Sequence, residues 1–126
     1  METEKIYTQH EENKEWMNKV LFYWDDLKIM TNRLEEIRSK NTSKDILAQV
    51  EHFQNQFMIQ TKHMEDIRNE IKMSDRLINR EINKNEVAVD HRSMGDHTSL
   101  RESVVTFEKL FTQLRIEFIA FLSKWM

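Results

Sequence analysis

Apolar residues recur along this chain in alternating steps of four and three, and the pattern appears in three separate stretches. In the middle third the series is Ile46, Val50, Phe53, Phe57, Met64, Ile67, Ile71 and Ile78, with polar Gln60 and Ser74 filling the two remaining slots. That spacing keeps one stripe on one side of an α-helix. Before it, Trp16, Val20, Tyr23, Leu27, Met30, Leu34 and Ile37 repeat the pattern. After it come Leu100, Val104, Phe107, Phe111, Leu114, Phe118, Phe121 and Trp125. The chain has no proline and a single glycine, so it has almost no vocabulary for tight turns or β-hairpins. A seam of this kind cannot be stable on an isolated helix and needs partners.

The expected fold is therefore all-α, an up-down-up antiparallel three-helix bundle with long coiled-coil-like helices. At 126 residues the chain forms one domain. Helix one is expected over about 4–40, helix two over about 43–88, a loop over about 89–98 and helix three over about 99–126. Asn41, Thr42 and Ser43 are good caps, and Thr42 with Asp45 and Ser99 with Glu102 resemble capping boxes. Gly95 falls in the expected loop. Met17, Leu21 and Trp24 form a second stripe on helix one, as a bundle requires.

A short turn at 40–42 makes helices one and two antiparallel neighbours. Residue i then faces roughly residue 83 minus i, which places Tyr23 opposite Gln60. It also sets a basic ridge (Arg68, Lys72, Arg76, Arg80, Lys84) against Glu15, Glu11 and Glu4. The seams place Phe53, Phe57 and Met64 in the core, and His63 beside it.

On these boundaries helix two is the longest, exceeding helix three by on the order of 20 Å. The hairpin tip and the apolar end of helix three would then be bare. The expected association surface is Met30, Leu34, Phe53, Phe57, Met58, Phe118, Ile119, Leu122, Trp125 and Met126, closed by a symmetric homodimer.

Chemistry-bearing motifs are weak. Asp90, His91, Asp96 and His97 flank the glycine and could hold a divalent metal, as in a metal-binding protein or enzyme, but they match no established ligand spacing. His52 and His63 stand about 16 Å apart along one helix and cannot share an ion. There is no Glu-x-x-His pair of the di-iron bundles, no phosphate loop and no nucleophile motif. Glu11, Glu12, Glu15, Asp25 and Asp26 read as a solvated face rather than paired catalytic carboxylates. No catalytic residue and no cofactor is expected.

There is no cysteine, which leans toward a reducing cytoplasm. The acidic opening Met-Glu-Thr-Glu-Lys is unlike a signal peptide. No run approaches the ~18 apolar residues of a membrane span. A formal charge of -3 argues against nucleic acid as the main partner. Peripheral membrane contact through 118–126 is a further reading, disfavoured by the scarcity of basic residues there.

The stretch 47–60, LAQVEHFQNQFMIQ, resembles a segment of small uncharacterised bacterial all-helical proteins. The resemblance covers about a tenth of the chain and implies a cytoplasmic bacterial origin, with no activity attached. The expected role is a non-catalytic, self-associating helical scaffold or protein-interaction module.

Overall fold

The computed structural model describes the backbone of residues 2–82 and 86–125 and the side chains of 6–80 and 97–125. Three helices account for nearly all of it: α1 (Glu2–Lys40), α2 (Lys44–Ile82) and α3 (Glu86–Trp125). No strand occurs among the described residues. The turn between α1 and α2 is set by two local bonds. Asn41 donates its side-chain amide to the Ile37 carbonyl at 2.7 Å, satisfying one of the orphan acceptors at the end of α1. The Ser43 carbonyl accepts the first bond of α2 from the Leu47 amide at 3.0 Å. Ser43 is thus the cap, and no Thr42–Asp45 bond forms among the described contacts. Asp45 lies in the first turn, where a carboxylate complements the helix dipole.

The three seams meet in one continuous core running from Trp16 to Phe121. Aromatic contacts organise it in tiers. Near the Asn41 turn, Phe53 meets Phe118 and Phe121 at 5.3 and 5.0 Å, and Phe57 meets Phe118 at 5.1 Å. In the middle, Tyr23 packs against Phe107 and Phe111. At the far end, Trp16 stacks on His97 at 4.8 Å. A small satellite of Ile6 and Ile78 extends the seam beyond it.

Two expectations change here. Residues 89–98 are not a loop: the backbone of 86–98 belongs to α3, and Ser99 and Glu102 lie inside it rather than at a cap. A lone glycine within a helix costs only about 1 kcal/mol against alanine, and the buried seam of α3 more than offsets it. In consequence α3, with 40 residues, matches α1 and α2 with 39 each, so the expected length mismatch is absent. Met30, Leu34, Phe53, Phe57 and Phe118 are buried within a single chain, and the hairpin tip is covered by α3.

The basic ridge does not meet the α1 glutamates. Among the described residues no ion pair joins Arg68, Lys72, Arg76 or Arg80 to Glu11 or Glu15; both glutamates are exposed. Lys84 and Glu4 lie outside the described side chains. Glu11 and Glu15 sit on the outer side of α1, away from the seam, so their ridge faces water. The register also runs one turn further than expected: residue 13 bonds Ser74 rather than meeting 70. Side chains lean toward the N-terminus of their own helix, which in an opposed pair shifts contacts in that direction.

Gln60 is buried, with its carbonyl oxygen unpartnered, and Tyr23 makes ring contacts instead of the expected bond to it. Two stability changes follow. Phe118→Ala is expected to cost about 3–5 kcal/mol through the cavity it opens, read by urea unfolding. Gln60→Leu is expected to add about 1 kcal/mol, because it removes a buried acceptor with no donor. A loss of stability in Gln60→Leu would show that the amide is paired in solution.

Candidate functional site

Flanking the seams are the residues that join one helix to the next. Glu12, Lys19 and Asp26 recur every seventh residue of α1, each just before a seam position. Each pairs with α3: Glu12 with Arg101 at 2.8 Å, Lys19 with Glu108 at 3.3 Å, and Asp26 with Arg115 at 3.3 Å. The offset of 89 residues between Glu12 and Arg101 recurs in the other two pairs. The sign alternates along the ladder, so a slip of one heptad would set like charges opposite each other. Each rung is partly exposed and worth under about 1 kcal/mol; together they select one register over its neighbours.

The first rung is the most elaborate. Arg101 grips Glu12 with Nε at 3.1 Å and Nη2 at 2.8 and 2.9 Å. The same carboxylate accepts from His97 Nε2 at 3.3 Å. Because a carboxylate only accepts, Nε2 carries the proton and Nδ1 is left with a lone pair. Nδ1 is buried without a partner, and the residue is only 3% exposed. Burial pushes the Glu12 carboxyl up, but Arg101 and His97 together outweigh that and hold it below its ordinary value. For His97, burial dominates and holds the imidazole below its ordinary value; Glu12 opposes that and Arg101 adds to it.

The same end of the bundle is polar inside. Gln9 and Asn13 occupy the α1 seam and are buried. Asn13 donates to Ser74 at 3.1 Å and to Asp75 at 3.5 Å, and His10 donates to Asp75 at 2.7 Å. The acceptor oxygens of Gln9 and Asn13 have no protein partner. Nothing in the 4-3 pattern marked His97 as a core residue, because the expected loop ended the seam at Leu100. Extending the seam back by one step of three would have found it.

The outer surface has its own pattern. On α1, Phe22 and Ile29 lie seven apart, interleaved with Lys19 and Asp26. On α3, Val105 lies between Arg101 and Glu108, and Ile119 one turn beyond Arg115. Residues three and four apart share a face, so these side chains line both lips of the α1–α3 ladder. Phe22, Ile29, Val105, Ile116 and Ile119 are all between 49% and 61% exposed. Tyr23 packs against both Phe107 and Phe111, which sets Ile29 level with the stretch just before Ile116. Leu122 and Trp125 are half-buried at the same end.

Of the residues expected to form an association surface, the exposed ones are thus Ile119 and Met58, with Leu122 and Trp125 half-covered; Met126 lies outside the described residues. Met58, 70% exposed, sits elsewhere, in an α1–α2 groove with Thr31, Glu35 and Glu51. A second groove between α2 and α3 is lined by His63, Asp66, Glu70, Glu102 and Leu110. Among the described residues no three His, Asp or Glu side chains converge as metal ligands. His97 is drawn into the core against Trp16 and Glu12; Asp90, His91 and Asp96 lie outside the described side chains. Among the described residues no helix is long and apolar enough to cross a membrane.

Comparison with family models, with curated proteins and with solved structures finds no match to this chain.

The ladder's contribution has a defined pH dependence. Glu12 is held below its ordinary value of 4.5, so its stabilisation is complete above that value and fades as pH falls through the lowered one. A double-mutant cycle of Glu12→Gln and Arg101→Gln is expected to give a coupling of about 0.5–1 kcal/mol at neutral pH. In unfolding experiments repeated in acid the coupling should vanish.

Proposed function

We propose that the chain is an up-down-up three-helix bundle with coiled-coil-like packing, and that its role is non-catalytic: a self-associating protein-interaction module. The observation that carries this reading is the exposed apolar row Phe22, Ile29, Val105, Ile116 and Ile119 beside the α1–α3 ladder. Scattered surface apolar residues need no explanation. Phe22 and Ile29 one heptad apart on α1, with Val105 and Ile119 two heptads apart on α3 and Ile116 one turn before Ile119, form the same kind of groove that each helix of the core already fills, and such a groove accepts one more helix.

The occupant we assign is a second copy of this chain, running antiparallel across the groove. The charge pattern of the face supports that choice. Exposed Glu15 and Glu102 flank one end of the apolar row. Arg33 and Lys40, which continue the every-seventh line of Glu12, Lys19 and Asp26, flank the other, where Arg33 already shares its charge with Glu36. An antiparallel copy brings the acidic end of each protomer to the basic end of its partner, and a two-fold axis repeats every contact. The dimer proposed here uses a different surface from the one expected from sequence. The tip residues Met30, Leu34, Phe53, Phe57 and Phe118 leave the surface, and Phe22, Ile29, Val105 and Ile116 join Ile119.

Light scattering or sedimentation at about tens of micromolar, a range where a modest interface is populated, is expected to give a dimer. The double variant Ile29→Glu, Ile116→Glu is expected to be monomeric with unchanged helix content. A wild-type monomer throughout that range, or a dimer untouched by both charges, would remove the reading.

A further inference from the structure

Buried histidines are costly to charge, and the surroundings of His97 make it more so. Its ring lies at 28° to the indole of Trp16 with centroids 4.8 Å apart, and its Nδ1 is enclosed with no hydrogen-bond partner. In the neutral ring that atom is only an unfilled acceptor. Protonation would turn it into a buried donor, and although Gln9 and Asn13 have unpartnered oxygens at this end of the bundle, none bonds the ring in the observed packing, so a net charge would be placed among buried neutral side chains. The one facing carboxylate, Glu12, is already held by three contacts from Arg101, so little of its charge is free to compensate, and Arg101 itself repels an imidazolium.

Among the described side chains the charged groups around this layer are few. α1 supplies Glu12 next to His97, and α3 supplies Arg101 one turn on. α2 supplies Asp75, which is taken by His10 and by Asn13. No second anion among the described contacts reaches the His97 ring. The layer is also where α1 and α3 hold each other at this end of the bundle, because Glu12–Arg101 is the terminal described rung of the ladder and Trp16–His97 the terminal aromatic contact. Beyond it, among the described residues, Ile6 and Ile78 form a separate buried apolar pair.

We infer that the Glu12–His97–Trp16 layer is a proton-operated latch, closing the α1–α3 junction while the ring is neutral and releasing that end of the bundle when the ring takes up a proton. At the opposite end His52 packs edge-on against Phe53 of the aromatic tier, but it is exposed to water rather than enclosed, so release is confined to the polar end. The direction is fixed by linkage. His97 is held below its ordinary value of 6.5, chiefly by burial. Its contribution is therefore complete above that value and is lost as pH falls toward the lowered one. This inference is independent of self-association, since every group in the latch belongs to one chain.

The test is amide hydrogen exchange of the full-length protein from about pH 7.5 to about pH 5, expressed as protection factors, together with the imidazole NMR titration of His97. Protection in 6–16 and 97–104 is expected to fall severalfold, while 46–57 and 111–121 hold theirs. The loss should track the titration of His97, with a midpoint below 6.5. His97→Phe, which keeps a flat ring over Trp16 but cannot be protonated, should abolish the loss; His10→Gln should leave it. Uniform protection across the range, loss that persists in His97→Phe or disappears in His10→Gln, or a His97 midpoint at or above the ordinary value would each overturn the latch. Should His97→Phe fail to fold, the wild-type titration and exchange decide alone.

Discussion

Everything in this molecule depends on burying three apolar seams at once. Each helix presents a stripe of large side chains to one side and charge to the other, and none is stable in water alone. Three stripes close on one another only if the helices are of similar length and packed in a common register. The chain meets the first condition with helices of 39, 39 and 40 residues. The outcome is a core in which Phe111, Met64 and Phe118 lose essentially all exposure.

The seam by itself is permissive about register, because a slip of seven residues returns apolar to apolar. Two polar devices make it selective. The ladder of Glu12–Arg101, Lys19–Glu108 and Asp26–Arg115 alternates in sign, so a heptad slip turns attraction into repulsion. The amide of buried Asn13 reaches the half-buried Ser74 hydroxyl only in the observed alignment of α1 on α2. Single polar groups in helical cores act in this way elsewhere, giving up some stability to fix one alignment. Gln60 shows the cost without a visible return, since its oxygen has no partner.

The molecule is consequently asymmetric along its length. One end is dry and aromatic, dominated by Phe53, Phe57, Phe118 and Phe121. The other is polar inside, with Gln9, Asn13 and His97 buried among hydrogen-bonding neighbours. Stability in such a bundle is unevenly distributed. The apolar end anchors it, and the polar end answers to the protonation state of its surroundings.

Periodicity alone determined the helical class, the three seams and nearly every core residue, because a 4-3 pattern has only one low-energy way to hide its stripe. The Asn41–Ser43 turn was legible for the same reason: the pattern breaks there, and capping residues cluster. What the linear pattern could not decide was where α3 begins. Gly95 and its polar neighbours look like a loop by composition, yet a helix tolerates one glycine when its buried face holds it in place. That single difference moved His97 from a surface loop into the core and covered the hairpin tip. Pairing of charges was likewise a tertiary matter. Glu12 and Glu11 are adjacent in the chain, but a helix turns about 100° per residue, so one meets Arg101 and the other meets water.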